Sequence, residues 1–169
     1  KKVFLNFGQL DQRKGIEAFL IACKQLSAAE IKRICLLLAG PIEPNYQAHI
    51  ELLIREVPDL EVIKIFEYLN YPTVELCFEV ADVVLVTYQG HMGMSSVLIR
   101  AALVGKPVIG TQVGNIGATI EAYQLGRAIN PSNADEFAQA LTSRFKGNAK
   151  LQADFVRQNS VEAFVLTIA

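Results

Sequence analysis

Short apolar runs alternate with amphipathic segments along this chain, and that alternation limits it to a narrow set of folds. Val3 to Phe7, Ile34 to Ala39, Val62 to Phe66, Val83 to Val86, Pro107 to Gly110 and Arg127 to Ile129 read as strands. Ile34 to Ala39 is apolar without interruption, as a strand buried on both faces requires. Between the runs, Ile16, Phe19, Leu20, Cys23 and Leu26 recur at helical spacing and predict a helix over about 14–28. Ile50, Leu53, Ile54 and Val57 predict another over about 45–57, and Thr73 to Ala81 a short one. Ser95-Ser96 opens a helix that runs to about Val104, with Gly105 at its C′ position. Ser132 is expected to cap a helix carrying Phe137, Leu141 and Phe145. A last amphipathic stretch runs to the C-terminus with a break near Gln158-Asn159-Ser160. Strand and helix in this order build right-handed βαβ units. The expected fold is α/β: a three-layer sandwich with a parallel sheet of about six strands and helices on both faces.

A length of 169 residues fits one domain, here 1–169, that buries roughly 70% of its unfolded surface without staples. Sixteen basic and seventeen acidic side chains leave a net charge of −1. That balance speaks against nucleic acid as a partner and against an anionic membrane surface. No apolar run approaches the roughly 20 residues of a transmembrane segment, and the apolar part of Lys1-Lys2-Val3-Phe4-Leu5 is too short for a signal peptide. The chain lacks an initial Met and opens inside a strand, so we expect a piece of a longer protein cut at a domain boundary. Cys23, Cys35 and Cys77 are odd in number and have no C-x-x-C spacing. They read as small buried hydrophobes in a reducing, cytoplasmic compartment. His49 and His91 stand too far apart to start a metal cluster, so no metal site is expected.

Ligands of parallel sheets sit beyond the carboxyl ends of the strands. Three loops there carry candidate chemistry. Phe7-Gly8-Gln9-Leu10-Asp11-Gln12-Arg13-Lys14-Gly15 puts Arg13 and Lys14 near a helix N-terminus. They are either solvated cations, with Asp11 compensating, or the counter-charge of a bound anion. Tyr88-Gln89-Gly90-His91-Met92-Gly93-Met94-Ser95-Ser96 opens a helix that is apolar nearly all round, with Arg100 its only charge. Ser95 and Ser96 read as helix caps or as ligand contacts, and His91 as a loop residue without a placed partner. Thr111 to Gly117 repeats the glycine-containing pattern more weakly. No G-x-G-x-x-G follows the first strand, and neither a P-loop nor a G-x-S-x-G elbow is present.

Taken in order, these loops resemble the C-terminal domain of the group one retaining nucleotide-sugar glycosyltransferases, whose two halves are Rossmann-like and form the GT-B fold. Phe7-Gly8-Gln9-Leu10 through Lys14-Gly15 resembles G-R-L-x-x-x-K-G. Leu38-Ala39-Gly40-Pro41 and Ala81 to Val86 resemble two strand ends of the family. Ala101 to Thr111, with Val113-Gly114, resembles A-x-A-x-G-K-P-V-I-A-T and its following glycine, the most specific of these matches. Ser160 onward resembles the helix that returns to the other domain.

The resemblance implies a domain that holds a nucleoside diphosphate sugar, as substrate and without a cofactor or bound metal. Lys14 would contact the diphosphate, and backbone donors at Ser95 and Ser96 would hold its oxygens. Ile65-Phe66-Glu67 would border the base, and Gly8 and Gly93 would give backbone access. The partner would be an N-terminal acceptor-binding domain that is absent from this chain. Without it the fragment is expected to bind donor weakly and not to turn over. Three positions depart from the family pattern. Gln9 stands where the family has Arg, and Met92 and Arg100 stand where it has two Glu. Arg100 only donates, so it cannot accept from ribose hydroxyls; we expect it to face the diphosphate instead. No catalytic residue is assigned. The leading expectation is the donor half of a glycosyltransferase in glycan or polysaccharide biosynthesis. The alternatives are a non-catalytic nucleotide- or sugar-binding module on the same fold, and another GT-B enzyme such as a sugar-nucleotide epimerase.

Overall fold

Strand β2 (Ile34–Ala39) is buried at all six positions, which an internal strand covered on both faces must be. A computed structural model of the chain describes residues 1–145 and 147–159. In it β2 pairs in parallel with β1 (Lys2–Phe7) and β3 (Glu61–Ile65). On its other side β1 pairs with β4 (Val83–Val86), which leads through β5 (Val108–Thr111) to β6 (Gly126–Ile129). The sheet is six-stranded with order β3-β2-β1-β4-β5-β6. The chain therefore runs outward to β3, crosses back, and runs outward again from β4. Neighbouring β1 and β4 diverge in their connections, which leaves a crevice at their carboxyl ends.

Side-chain alternation along the strands divides the core in two. Phe4, Leu36 and Val83 face α1 (Ile16–Cys23), α2 (Ala28–Ile31), α3 (Pro44–Arg55) and α7 (Ala134–Thr142). Leu5, Leu37 and Val84 face α4 (Tyr71–Val80), α5 (Ser96–Leu103), α6 (Gly114–Tyr123) and α8 (Ala149–Gln158). The first layer is centred on Phe19, whose ring lies 5.7 Å from Phe4 and 5.9 Å from Phe137. Such tilted and edge-on pairs add to the area they bury.

Most strands fall within one residue of the expected runs, and Gly105 ends α5 at φ 70°. Two expectations are corrected. The single helix over 14–28 is broken. Gly15, at φ 73°, separates a short 3-10 turn (Gln12–Lys14) from α1, and α2 starts afresh at Ser27. There Ser27 Oγ accepts from Glu30 N–H while Glu30 accepts from Ser27 N–H at 2.9 Å, a capping box that fixes a new helix start. The cap of α7 is Asn133 and not Ser132, its side chain accepting from Glu136 N–H at 3.2 Å. The break expected near 158–160 matches the end of α8 at Gln158, and the stretch from Ser160 lies outside the described residues.

Candidate anion site

The loop after β1 and the loop after β4 meet over the crevice, and Lys14 is where they join. The Lys14 carbonyl accepts from Asn6 Nδ2 at 3.0 Å and from Thr87 Oγ1 at 3.3 Å. Asn6 and Thr87 are both fully buried, one near the end of β1 and the other just past β4. Gly15 follows in a left-handed conformation that an L side chain adopts only at a cost. Its backbone packs so closely that a Cβ there would lie 2.4 Å from the Thr87 carbonyl oxygen. The Lys14 backbone is thus clamped between the two loops.

Its side chain returns over the crevice. Nζ donates to the Phe7 carbonyl at 2.9 Å and to the Tyr88 hydroxyl at 3.0 Å, and lies 4.5 Å from the Tyr88 ring centroid. A cation over an aromatic face is held by the ring quadrupole, worth about 0.5–2 kcal/mol. Among the described residues no carboxylate pairs with this ammonium. Asp11, the near candidate, is engaged elsewhere: its carboxylate meets Arg13 at 2.7 Å and accepts from Arg13 N–H at 3.0 Å. The guanidinium's hydrogen bonds to that carboxylate, with the charge of Asp11, raise the Arg13 pKa. The Asp11–Arg13 pair is neutral and Lys14 stays uncompensated.

On the other wall, Ser95 caps α5, its Oγ accepting from Val97 N–H at 3.2 Å. Ser95 Oγ also shares a hydrogen bond with the Tyr88 hydroxyl at 3.2 Å. The cleft so formed is about 340 Å³. It brings together Gly8, Gln9, Lys14, Ser95 and Ser96 with Tyr88, His91 and Asp11. A helix N-terminus and an ammonium that no carboxylate among the described residues pairs with favour an anion in this cleft.

Phe66, Gly93 and Arg100 do not line this cleft. Phe66 follows β3 and packs against the first core layer. Gly93 is exposed beside His91. Arg100 points toward α4, its guanidinium carbon 5.7 Å from the ring centroids of both Tyr71 and Phe78. Met92 is 65% exposed, and its carbonyl accepts from Asn115 N–H at 3.0 Å, tying the loop to α6. His91 Nε2 lies 3.3 Å from the Met94 carbonyl. Among the described residues no three His, Cys, Asp or Glu side chains are grouped to hold a metal ion, and no helix is long and apolar enough to cross a membrane. A larger hollow of about 810 Å³, lined by Lys2, Ile34, Val83 and Pro107, lies at the amino ends of the strands and contains none of the candidate site residues.

Sequence reasoning missed Asn6 and Thr87, and placed Tyr88 at the start of the second loop without a role. Asn6 is the lone polar residue in the run Val3 to Phe7, and a polar side chain in a buried strand signals a specific contact; here Nδ2 donates to the Lys14 carbonyl while the buried Oδ1 has no partner among the described residues. Nothing local marks Tyr88, whose partner Lys14 is 74 positions away.

A family model described as glycosyl transferases, group 1, matches residues 1–160. Among solved structures, the sucrose-phosphate synthase of Thermosynechococcus elongatus is similar over 99% of this chain and 44% of its own, with a TM-score of 0.81 and 24% identity. Anabaena HepE in complex with UDP and glucose is similar over 98% of this chain and 46% of its own, with a TM-score of 0.76 and 18% identity. The C-terminal domain of a glycosyl transferase group 1 family protein from Francisella tularensis aligns over 98% of this chain and 85% of its own, with a TM-score of 0.66 and 17% identity. At these identities the likeness is one of fold. The chain spans less than half the length of the first two. No curated protein sequence matches it.

Proposed function

The chain belongs to the group 1 glycosyl transferases, and we propose that it forms the half of such an enzyme that holds a nucleoside diphosphate sugar. One observation carries this reading: over the crevice between β1 and β4, the Lys14 ammonium has no carboxylate partner among the described residues and faces the N-terminus of α5. Two phosphoryl groups supply the charge that this arrangement lacks. Lys14 contacts the diphosphate, the amides at Ser95 and Ser96 hold its oxygens, and Gly8 and Gln9 border it. Phe66 and Gly93, off the cleft floor, are left to the base and the transferred sugar. The acceptor binds a second, N-terminal domain across the cleft. The sugar is transferred with retention in glycan or polysaccharide assembly, and no cofactor is needed. Three buried free cysteines support a reducing compartment, the cytoplasm.

A second reading, a module that binds the donor without transferring it, is favoured by the carboxylate inventory. Among the described residues Asp11 is the only acid lining the cleft, and Arg13 occupies it. Release of nucleoside diphosphate by the two-domain parent protein would speak for transfer, and binding without release for the module.

Calorimetric titration of the chain with UDP, GDP and ADP at low salt tests the shared premise. Saturable binding of one diphosphate is expected, weakened about tenfold or more in Lys14→Ala, the loss of a hydrogen bond to a charged group. No binding by any of the three, or binding that Lys14→Ala leaves unchanged, refutes it.

A further inference from the structure

Two buried hydroxyls meet beside the Lys14 ammonium, and their protons do not balance. The Tyr88 oxygen lies 3.0 Å from Lys14 Nζ and 3.2 Å from Ser95 Oγ, and Ser95 Oγ lies 3.2 Å from Val97 N. Tyr88 is 9% exposed and Ser95 5%, yet both line the cleft. An ammonium and a backbone amide can only donate. The Tyr88 oxygen therefore accepts from Lys14, and the Ser95 oxygen accepts from Val97. The two hydroxyls carry two protons, and one of them is used between the two oxygens. Whichever hydroxyl donates, the other proton has no acceptor among the described residues. It belongs to a residue that lines the cleft, next to a positive charge that no carboxylate among the described residues offsets. A spare donor beside an ammonium suits an anionic oxygen and disfavours a cation.

We propose that the Tyr88–Ser95 hydroxyl pair is a ligand-binding element that donates its spare proton to a non-bridging phosphoryl oxygen held by Lys14. This rests on the reading of the cleft as a nucleoside diphosphate site and adds the side chains that orient the phosphoryl group there. The count makes an unusual demand. Removing either hydroxyl also removes the bond between them, so one spare proton remains. Removing both leaves none.

The test is a double-mutant cycle on the whole chain, with Tyr88→Phe, Ser95→Gly and the two combined. Phenylalanine keeps the ring beneath the ammonium, and glycine keeps most of the capping preference at the start of α5. Each is titrated with whichever of UDP, GDP and ADP binds the unaltered chain most tightly, and thermal melting confirms that each variant is folded. Each single substitution is expected to weaken binding by no more than about threefold. The double is expected to weaken it by about tenfold or more beyond the product of the singles, as loss of a hydrogen bond to a charged group requires. A double variant no weaker than that product overturns the inference. If Lys14→Ala still weakens binding in that case, the diphosphate reading stands and only the hydroxyl pair falls. If no diphosphate binds the unaltered chain, both fall.

Discussion

Gly15 offers a test of the clamp on which the site depends. It sits at φ 73°, and an added Cβ would lie 2.4 Å from the Thr87 carbonyl oxygen and 2.6 Å from Thr87 Oγ1. Ordinary contact begins at 3.4 Å, so one loop must retreat by about 1 Å. Two costs add in Gly15→Ala. The left-handed conformation costs an L residue roughly 1–2 kcal/mol, and forcing a side chain into filled space typically costs about 1–3 kcal/mol. Lower entropy of the unfolded chain returns about 0.4–1 kcal/mol. A net loss of about 3 kcal/mol corresponds to a fall in Tm of roughly 6–12 °C for a chain of this length. Gly90 supplies the control. It has a similar positive φ, 64°, but nothing within 4 Å of an added Cβ. Gly90→Ala should therefore carry the conformational cost alone, about 1 kcal/mol. Urea and thermal unfolding of both variants give the difference. If Gly15→Ala is no more destabilising than Gly90→Ala, the loops are not in contact at Thr87 and the account of how Lys14 is positioned fails.

Two further outcomes follow from burial and stacking. Burial pushes the Cys23 thiol up to about 12, above an unfolded value of about 8.5. A raised acid group contributes stability fully present below the unfolded value and lost as pH climbs toward the folded one. Urea midpoints should therefore fall more steeply between about pH 8 and 10 in the unaltered chain than in Cys23→Ala, and equal slopes would contradict the burial. Arg100, stacked on Tyr71 and Phe78, lies off the cleft, so Arg100→Ala should leave diphosphate affinity within about twofold while lowering stability by roughly 0.5–2 kcal/mol through the lost cation–π contacts. A tenfold loss of affinity at unchanged stability would put Arg100 on the ligand.

The sequence made the strands plain because the physics there is local. A strand covered on both faces has no polar alternation to confuse it, so Ile34–Ala39 and Val83–Val86 stand out as unbroken apolar runs. Helix ends were harder. Leu26 keeps the helical spacing of Ile16 to Cys23 and is packed on the same core, so periodicity runs on through a real break. The competing signal, Ser27 with Glu30 three residues later, was present and is the stronger one, because a capping box satisfies two backbone donors at once. At α7 both Ser132 and Asn133 can cap. Asn133 does so with Phe137, Ala140 and Leu141 all buried, so the cap register and the buried face of the helix are set together.

The site divides along a different line. Gly8, Lys14 and Ser95 were legible one loop at a time, because each follows a strand end where parallel sheets bind ligands. What could not be read is how the charges are shared. The segment Asp11 to Lys14 holds one acid and two bases, and either base could take the acid. The structure gives Asp11 to Arg13, two residues away and aligned through both backbone and guanidinium. Lys14 instead turns back to the end of β1 and to Tyr88 on the far loop. That choice is made by topology. β1 and β4 are neighbours only because the chain crosses back from β3, which brings residues 74 positions apart to 3.0 Å. A change that separates β1 from β4 removes the Tyr88 and Thr87 contacts that hold Lys14 over the cleft. The anion site therefore depends on the strand order as much as on the residues that line it.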